Sequence, residues 1–113
     1  MDIIIVGDGK VGYTLAEQLS QEEHNVTIVD TSDEALRKAD EALDVMCVKG
    51  NGASVSTLRE AGAEHADILI AATSMDEINM VSCLTAKHMG TAFTVARVRN
   101  IEYTVDTNRL KRD

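Results

Sequence analysis

Strand-like and helix-like segments alternate along this chain, which predicts an α/β fold: a doubly wound parallel sheet in a single domain. Three observations carry that expectation. Short apolar runs rich in β-branched residues recur at residues 3–6, 26–29, 45–48, 68–71 and 93–98. Segments of helical spacing separate them. Strands alternating with helices of this length mean βαβ units, whose crossover helices cover both faces of a parallel sheet. A length of 113 residues suits one such domain.

Each element has its own signals. The first run, "IIIV", is followed by three closely spaced glycines and a stripe of Val11, Leu15, Ala16 and Leu19. The second closes in "VTIVDTS", where Thr31 and Glu34 have the spacing of a capping box, hydroxyl and carboxylate each satisfying a free N–H. Ala35, Leu36, Ala39 and Leu43 then form the next stripe. The third run leads through "KGNGAS" into Val55, Leu58 and Ala61, which Gly62 ends. The fourth leads through "AATSMDE", where Ser74 and Glu77 again fit a capping box.

The helix expected over 75–89 departs from the pattern. Met75, Ile78, Met80, Val81, Cys83, Leu84, Ala86 and Met89 surround most of its circumference, whereas a helix on a sheet needs one apolar side. Burial between neighbouring helices is one explanation. Contact with a second copy of the chain is the other, and it predicts a homo-oligomer, a dimer or larger.

Composition excludes several classes. Aromatic content is 3%, so the core must be built from Val, Ile, Leu, Ala and Met. A net charge of −8 argues against a nucleic-acid partner, which needs a basic patch. The bases are concentrated late: residues 87–113 hold six of the eleven Lys and Arg. Cys47 and Cys83 lie in apolar runs with no second Cys or His at ligand spacing, as expected of buried free thiols in a reducing cytosol and not of a metal site. No run approaches the length of a membrane span and no signal peptide precedes the first strand, so a soluble, cytoplasmic chain without direct membrane insertion is expected.

Gly7, Gly9 and Gly12 spell G-x-G-x-x-G after a strand and at the opening of a helix, the context that the motif requires. In a Rossmann-like fold the first glycine permits the tight turn, the second lets a pyrophosphate approach, and the third lets helix and strand pack closely. The helix N-terminus offers free N–H groups to an anion. A bare structural turn is the alternative, but Asp30 ends the second strand 18 residues beyond Gly12, where a carboxylate accepts from both ribose hydroxyls. That carboxylate also repels a 2′-phosphate, which disfavours NADP. Gly50 and Gly52 allow a close turn beside the expected adenine, small Ala71 and Ala72 leave room, and Thr73 and Ser74 offer hydroxyls; plain turn chemistry is the alternative for each. Arg97 and Arg99, two apart, are expected to project together near a strand end, toward phosphate or into ion pairs.

These features read adenosine and phosphates and not nicotinamide, so NAD, NADH, ADP and ATP are all candidates. No Tyr-x-x-x-Lys pair and no His with a positioned carboxylate stands out; His24, His65 and His88 fall at helix ends or in a loop. A binding module, not an enzyme, is expected, with the cofactor half of an NAD-dependent dehydrogenase as the alternative. A redox-sensing repressor would need a DNA-binding domain besides.

Taken together, "IIIVGDGKVGYTLAEQL", "VTIVDTS", "VKGNGAS", "LREAGAEHADILIAATSMDEINMVSC" and "ARVRN" resemble the TrkA N-terminal nucleotide-binding domain of the KTN/RCK family of potassium-transport regulators, over essentially the whole chain. The resemblance implies a nucleotide-driven conformational change in a cytosolic ring attached to the membrane subunit of a potassium transporter or channel. The location it implies is peripheral to the inner face of the cell membrane. It matches Gly7, Gly9, Lys10, Val11 and Gly12 to the phosphate loop and Asp30 to the ribose ligand. Asn51, Gly52 and Ala53 match the adenine-side turn; Thr73, Ser74 and Asp76 match the far side of the ligand. Arg97 and Arg99 match a basic pair whose role varies between phosphate contact and assembly, and Lys10 stands where some relatives place a base near the terminal phosphates. Asp8, inside the glycine loop, and Thr31, beside Asp30, complete the expected cofactor-binding set. The family domain continues into a sixth strand and further domains, whereas this chain stops at "NRLKRD", in or just after a fifth helix. One nucleotide-binding domain over residues 1–113, a fragment of a longer protein, is therefore expected.

Overall fold

In the computed structural model, which describes residues 1–103, the apolar runs form one five-stranded parallel sheet. The elements follow in the order β1 (Asp2–Val6), α1 (Lys10–Gln21), β2 (Asn25–Asp30), α2 (Asp33–Ala42), β3 (Met46–Lys49), α3 (Val55–Glu60), β4 (Ile68–Ala71), α4 (Asp76–Met89) and β5 (Phe93–Ala96). In space the strands run β3-β2-β1-β4-β5, so the chain reverses direction about β1. Val6 pairs with both Val29 and Ala71, and Asp30 with Lys49, which aligns the C-terminal strand ends along one edge. In an open α/β sheet, ligands bind outside that edge at the reversal point.

Strand alternation sorts the core into two layers. Ile4, Val6, Val29, Val48 and Leu69 face Leu58 of α3 and Cys83 and Ala86 of α4. Ile3, Ile5, Val26 and Ile28 face Ala16 of α1 and Leu36 and Ala39 of α2. Burial pushes the thiols of Cys47 and Cys83 up, and both are free.

Three local expectations are corrected. The helix cap on α2 is Ser32 and not Thr31: an Asp30 carboxylate oxygen takes the Ser32 N–H at 2.8 Å, and Ser32 Oγ then accepts from Ala35 N at 3.2 Å. That turn moves the helix start one residue along. Ser74 does not cap α4, whose N-cap is Met75 with no side-chain bond; the Thr73 hydroxyl accepts the Met75 N–H instead. The last strand stops at Ala96, short of residue 98, because the following backbone turns to Asp76. Of the apolar ring expected on α4, Cys83 and Ala86 are buried and Ile78, Met80 and Met89 half-buried, while Met75, Val81 and Leu84 stay exposed at 55%, 46% and 72%. Residues 101–103 are helical, and the remaining residues of the fifth helix expected near the end lie outside the described residues.

Because Ser32 and not Thr31 supplies the cap, Ser32→Ala is expected to destabilise the domain by about 1 kcal/mol. Thr31→Ala should leave the urea midpoint nearly unchanged, and the reverse ranking would return the cap to Thr31.

Candidate functional site

The loops leaving all five strands enclose a cavity of about 570 Å³ at the C-terminal edge of the sheet. Gly7, Asp8, Gly9, Lys10 and Val11 form one wall, with Asp30 and Thr31 beside them. Asn51 and Gly52 stand after β3, Thr73 and Ser74 after β4, and Arg97 after β5. These are residues that the sequence singles out, brought to one place from far apart in the chain. Gly12, Ala53, Asp76 and Arg99 do not line the cavity.

The first loop is shaped by two close approaches. Gly7 has φ +101, and a β-carbon there would sit 2.9 Å from Thr73 N, so the loops after β1 and β4 touch through it. Gly12 is buried, and a β-carbon on it would overlap the Gly7 carbonyl oxygen. Gly9, by contrast, has open space around it and serves as the N-cap of α1 with no side-chain capping bond. The first turn of α1 carries no acid, so its unpartnered N–H groups and positive dipole end open toward the cavity beside Lys10.

Asp30 is held in place by backbone N–H groups on both sides. One carboxylate oxygen accepts from Asp8 N at 2.7 Å and the other from Ser32 N at 2.8 Å. A carboxylate has about four acceptor positions, so lone pairs remain for a diol. Asp8 is 9% exposed, and neither of its side-chain oxygens has a hydrogen-bond partner. Burial first, and the Asp30 charge second, raise its pKa to about 6.

The residues outside the cavity support those inside it. Asn51 Oδ1 accepts from Ala53 N at 2.9 Å, so the Ala53 N–H is taken up in closing the turn. Asp76 accepts from Arg99 N at 3.0 Å and Asn100 N at 2.7 Å, and these backbone bonds hold its carboxyl below the usual range. The Arg99 guanidinium donates to Ser74 O at 2.9 Å. Arg97 and Arg99 therefore do not project together as expected: they lie beyond the strand, where two-residue alternation no longer applies.

Sequence reasoning missed two organising residues. Asn79, fully buried, accepts from Thr73 N at 2.9 Å and Thr73 Oγ1 at 2.7 Å and donates to Thr73 O and Arg97 O. Buried Ser82 donates to Gly52 O at 2.6 Å, tying the turn after β3 to α4. Met75 and Ile78, which add apolar surface to the cavity, were missed as well. A polar residue inside the apolar ring of α4 was the one available signal for Asn79 and Ser82.

Residues 3–112 match the family described as the TrkA-N domain. The chain belongs to this family. Among relatives of this TrkA-N domain is the Trk system potassium uptake protein TrkA of Halomonas elongata, 47% identical over 104 residues. That match covers 91% of this chain and 23% of the relative, so the chain spans under a quarter of that protein's length. Two solved structures share the TrkA-N fold. The GsuK channel bound to NAD superposes with a TM-score of 0.69 at 23% identity, over 80% of this chain and 17% of that one. The Shewanella denitrificans Kef CTD in AMP bound form gives 0.68 at 22% identity, over 82% and 55%.

Proposed function

We propose that this domain binds an adenine nucleotide, NAD(H) or ADP/ATP, and serves as a regulatory module of a membrane potassium transporter or channel. The observation that carries the reading is the meeting of the glycine loop, the open N-terminus of α1 and the anchored Asp30 carboxylate around one cavity. The glycine loop receives phosphates and Asp30 receives the ribose hydroxyls. The NAD and AMP named for the two structural neighbours support this ligand class, and the uptake protein named among the relatives supports the potassium setting.

The nucleotide acts as a switch. A ligand shifts a conformational equilibrium only through different affinities for its two states. Nucleotides that share the adenosine grip differ in what they present to Lys10, Ser74 and Arg97, and Ser74 is bonded onward to Arg99. No helix among the described residues is long and apolar enough to cross a bilayer. In this arrangement the domain sits in the cytoplasm at the inner face of the membrane, as a homo-oligomer whose contacts include exposed Val81 and Leu84.

Calorimetry tests the ligand. NAD or ADP should bind much more tightly than NADP, and Asp30→Ala should cost about 1–3 kcal/mol of NAD affinity. Equal affinity of the wild type for NAD and NADP overturns the assignment of Asp30. Potassium flux through the parent complex tests the regulatory role, and identical flux with every nucleotide and with none overturns it.

A further inference from the structure

Asp8 stands between the first two glycines of the loop, where nothing in the motif asks for a charge. Its N–H is anchored on Asp30 at 2.7 Å, while its carboxylate is removed from solvent and accepts no hydrogen bond. The backbone thus supports the ribose-facing carboxylate while the side chain buries a second acid beneath it. A buried group without partners favours its uncharged form.

The groups around Asp8 come from each packed element. Asp30 on β2 opposes ionisation, and Lys38 on α2 favours it. Lys38 also reaches over the Tyr13 ring of α1, 5.1 Å from its centroid. Cys47 on β3 feels the Asp8 charge, and Lys10 and Arg97 line the cavity with it. None of the cations Lys38, Lys10 and Arg97 forms a hydrogen bond or ion pair with the Asp8 carboxylate, which leaves protonation as a way to remove its charge.

We propose that Asp8 couples nucleotide binding to proton uptake: a phosphate-bearing ligand seated on the glycine loop binds best when the Asp8 carboxyl is protonated, and draws a proton from solvent onto that carboxyl as it binds. The inference rests on the nucleotide reading given above. Its sign follows from charge. A pyrophosphate beside the loop adds negative charge near Asp8 and further disfavours the carboxylate. Asp8 therefore holds its proton to higher pH in the complex than in the free chain, and affinity rises as pH falls through the free-state value of about 6. The coupling belongs to the phosphates: adenosine, which lacks them, reaches the same ribose grip with little or no proton uptake.

NAD is the probe, because its pyrophosphate does not titrate near neutrality, whereas the terminal phosphate of AMP does. Calorimetry on the 113-residue chain in two buffers of different ionisation heat is expected to show a fraction of a proton taken up per NAD bound. Affinity should rise about tenfold from near pH 8 to near pH 6. Asp8→Asn should bind NAD with little pH dependence, at an affinity near the low-pH wild-type value. The carboxyl carbon shift of Asp8 in the wild type gives a second readout that needs no variant: its midpoint should move upward when NAD is added. NAD binding of equal strength at both pH values with a static midpoint overturns the coupling and leaves the nucleotide reading standing. Absence of NAD binding at either pH, with AMP and ADP also failing to bind, overturns both.

Discussion

Gly12→Ala is expected to unfold the domain or destabilise it by about 3–5 kcal/mol, the range of substitutions that force a rigid overlap in the interior. The added carbon would occupy the position of the Gly7 carbonyl oxygen, with Ile5 Cγ2 behind it at 3.5 Å. The backbone at Gly7 has little room to retreat, since it turns through φ +101 and lies so near the loop after β4 that even a β-carbon there would clash with Thr73. Gly9→Ala separates this packing effect from ligand binding. A β-carbon at Gly9 meets nothing within 4 Å, and its backbone is extended at φ −79. Stability should therefore change by under about 0.5 kcal/mol, while NAD affinity falls because the methyl occupies the phosphate approach. Urea denaturation and calorimetry read the two effects. A wild-type midpoint for Gly12→Ala would contradict the packing that places α1 against β1.

Asn79→Leu is expected to have the second largest effect, about 3–4 kcal/mol of stability. Leucine fits the volume but leaves the N–H, hydroxyl and carbonyl of Thr73 and the Arg97 carbonyl to find other partners. Each buried polar group left unpaired costs about 1–3 kcal/mol, less where relaxation admits water. Affinity for NAD should fall as well, because Thr73 and Arg97 line the cavity and lose their shared anchor. Ser82→Ala, which removes one bond to Gly52, should cost about 1 kcal/mol and serves as the comparison. Equal effects for the two variants would mean that the network around Asn79 contributes no more than one hydrogen bond.

Much of the fold was legible because its signals are local. The central strands β1, β2 and β4 read as apolar runs since both of their faces are covered, while the edge strands β3 and β5 leave Met46, Phe93 and Val95 exposed; the glycine loop announces itself by spacing. Gly7, Gly9, Asp30, Gly50 and Gly52 follow from spacing and strand ends, whereas Lys10, Val11 and Asn51 follow from the family resemblance. What was not legible depends on contacts between distant segments. Thr31 and Ser32 are equivalent capping residues by composition, and the choice is made by the Asp30 carboxylate, which takes the Ser32 N–H. Arg99 has the same residue type and spacing as a cavity residue, yet Asp76 captures its backbone from 23 positions away and Ser74 its guanidinium. Asn79 and Ser82 lie in an apolar helical pattern, where their polarity has no meaning until the loops that they hold are in place.

The strand order also bears on how the chain is made. β1, β2 and β3 are consecutive neighbours and can pair as soon as they leave the ribosome, but the other side of β1 must wait for β4. Until then the strand "DIIIV" presents an unpaired margin along its whole length, bearing three isoleucines and a valine. Open apolar strand edges are templates for association between chains, and late pairing between distant segments is slow. The nascent domain is therefore most exposed to self-association between synthesis of β3 and synthesis of β4, and chaperone dependence should be greatest for variants that delay the docking of β4, such as changes at Leu69 or Ala71.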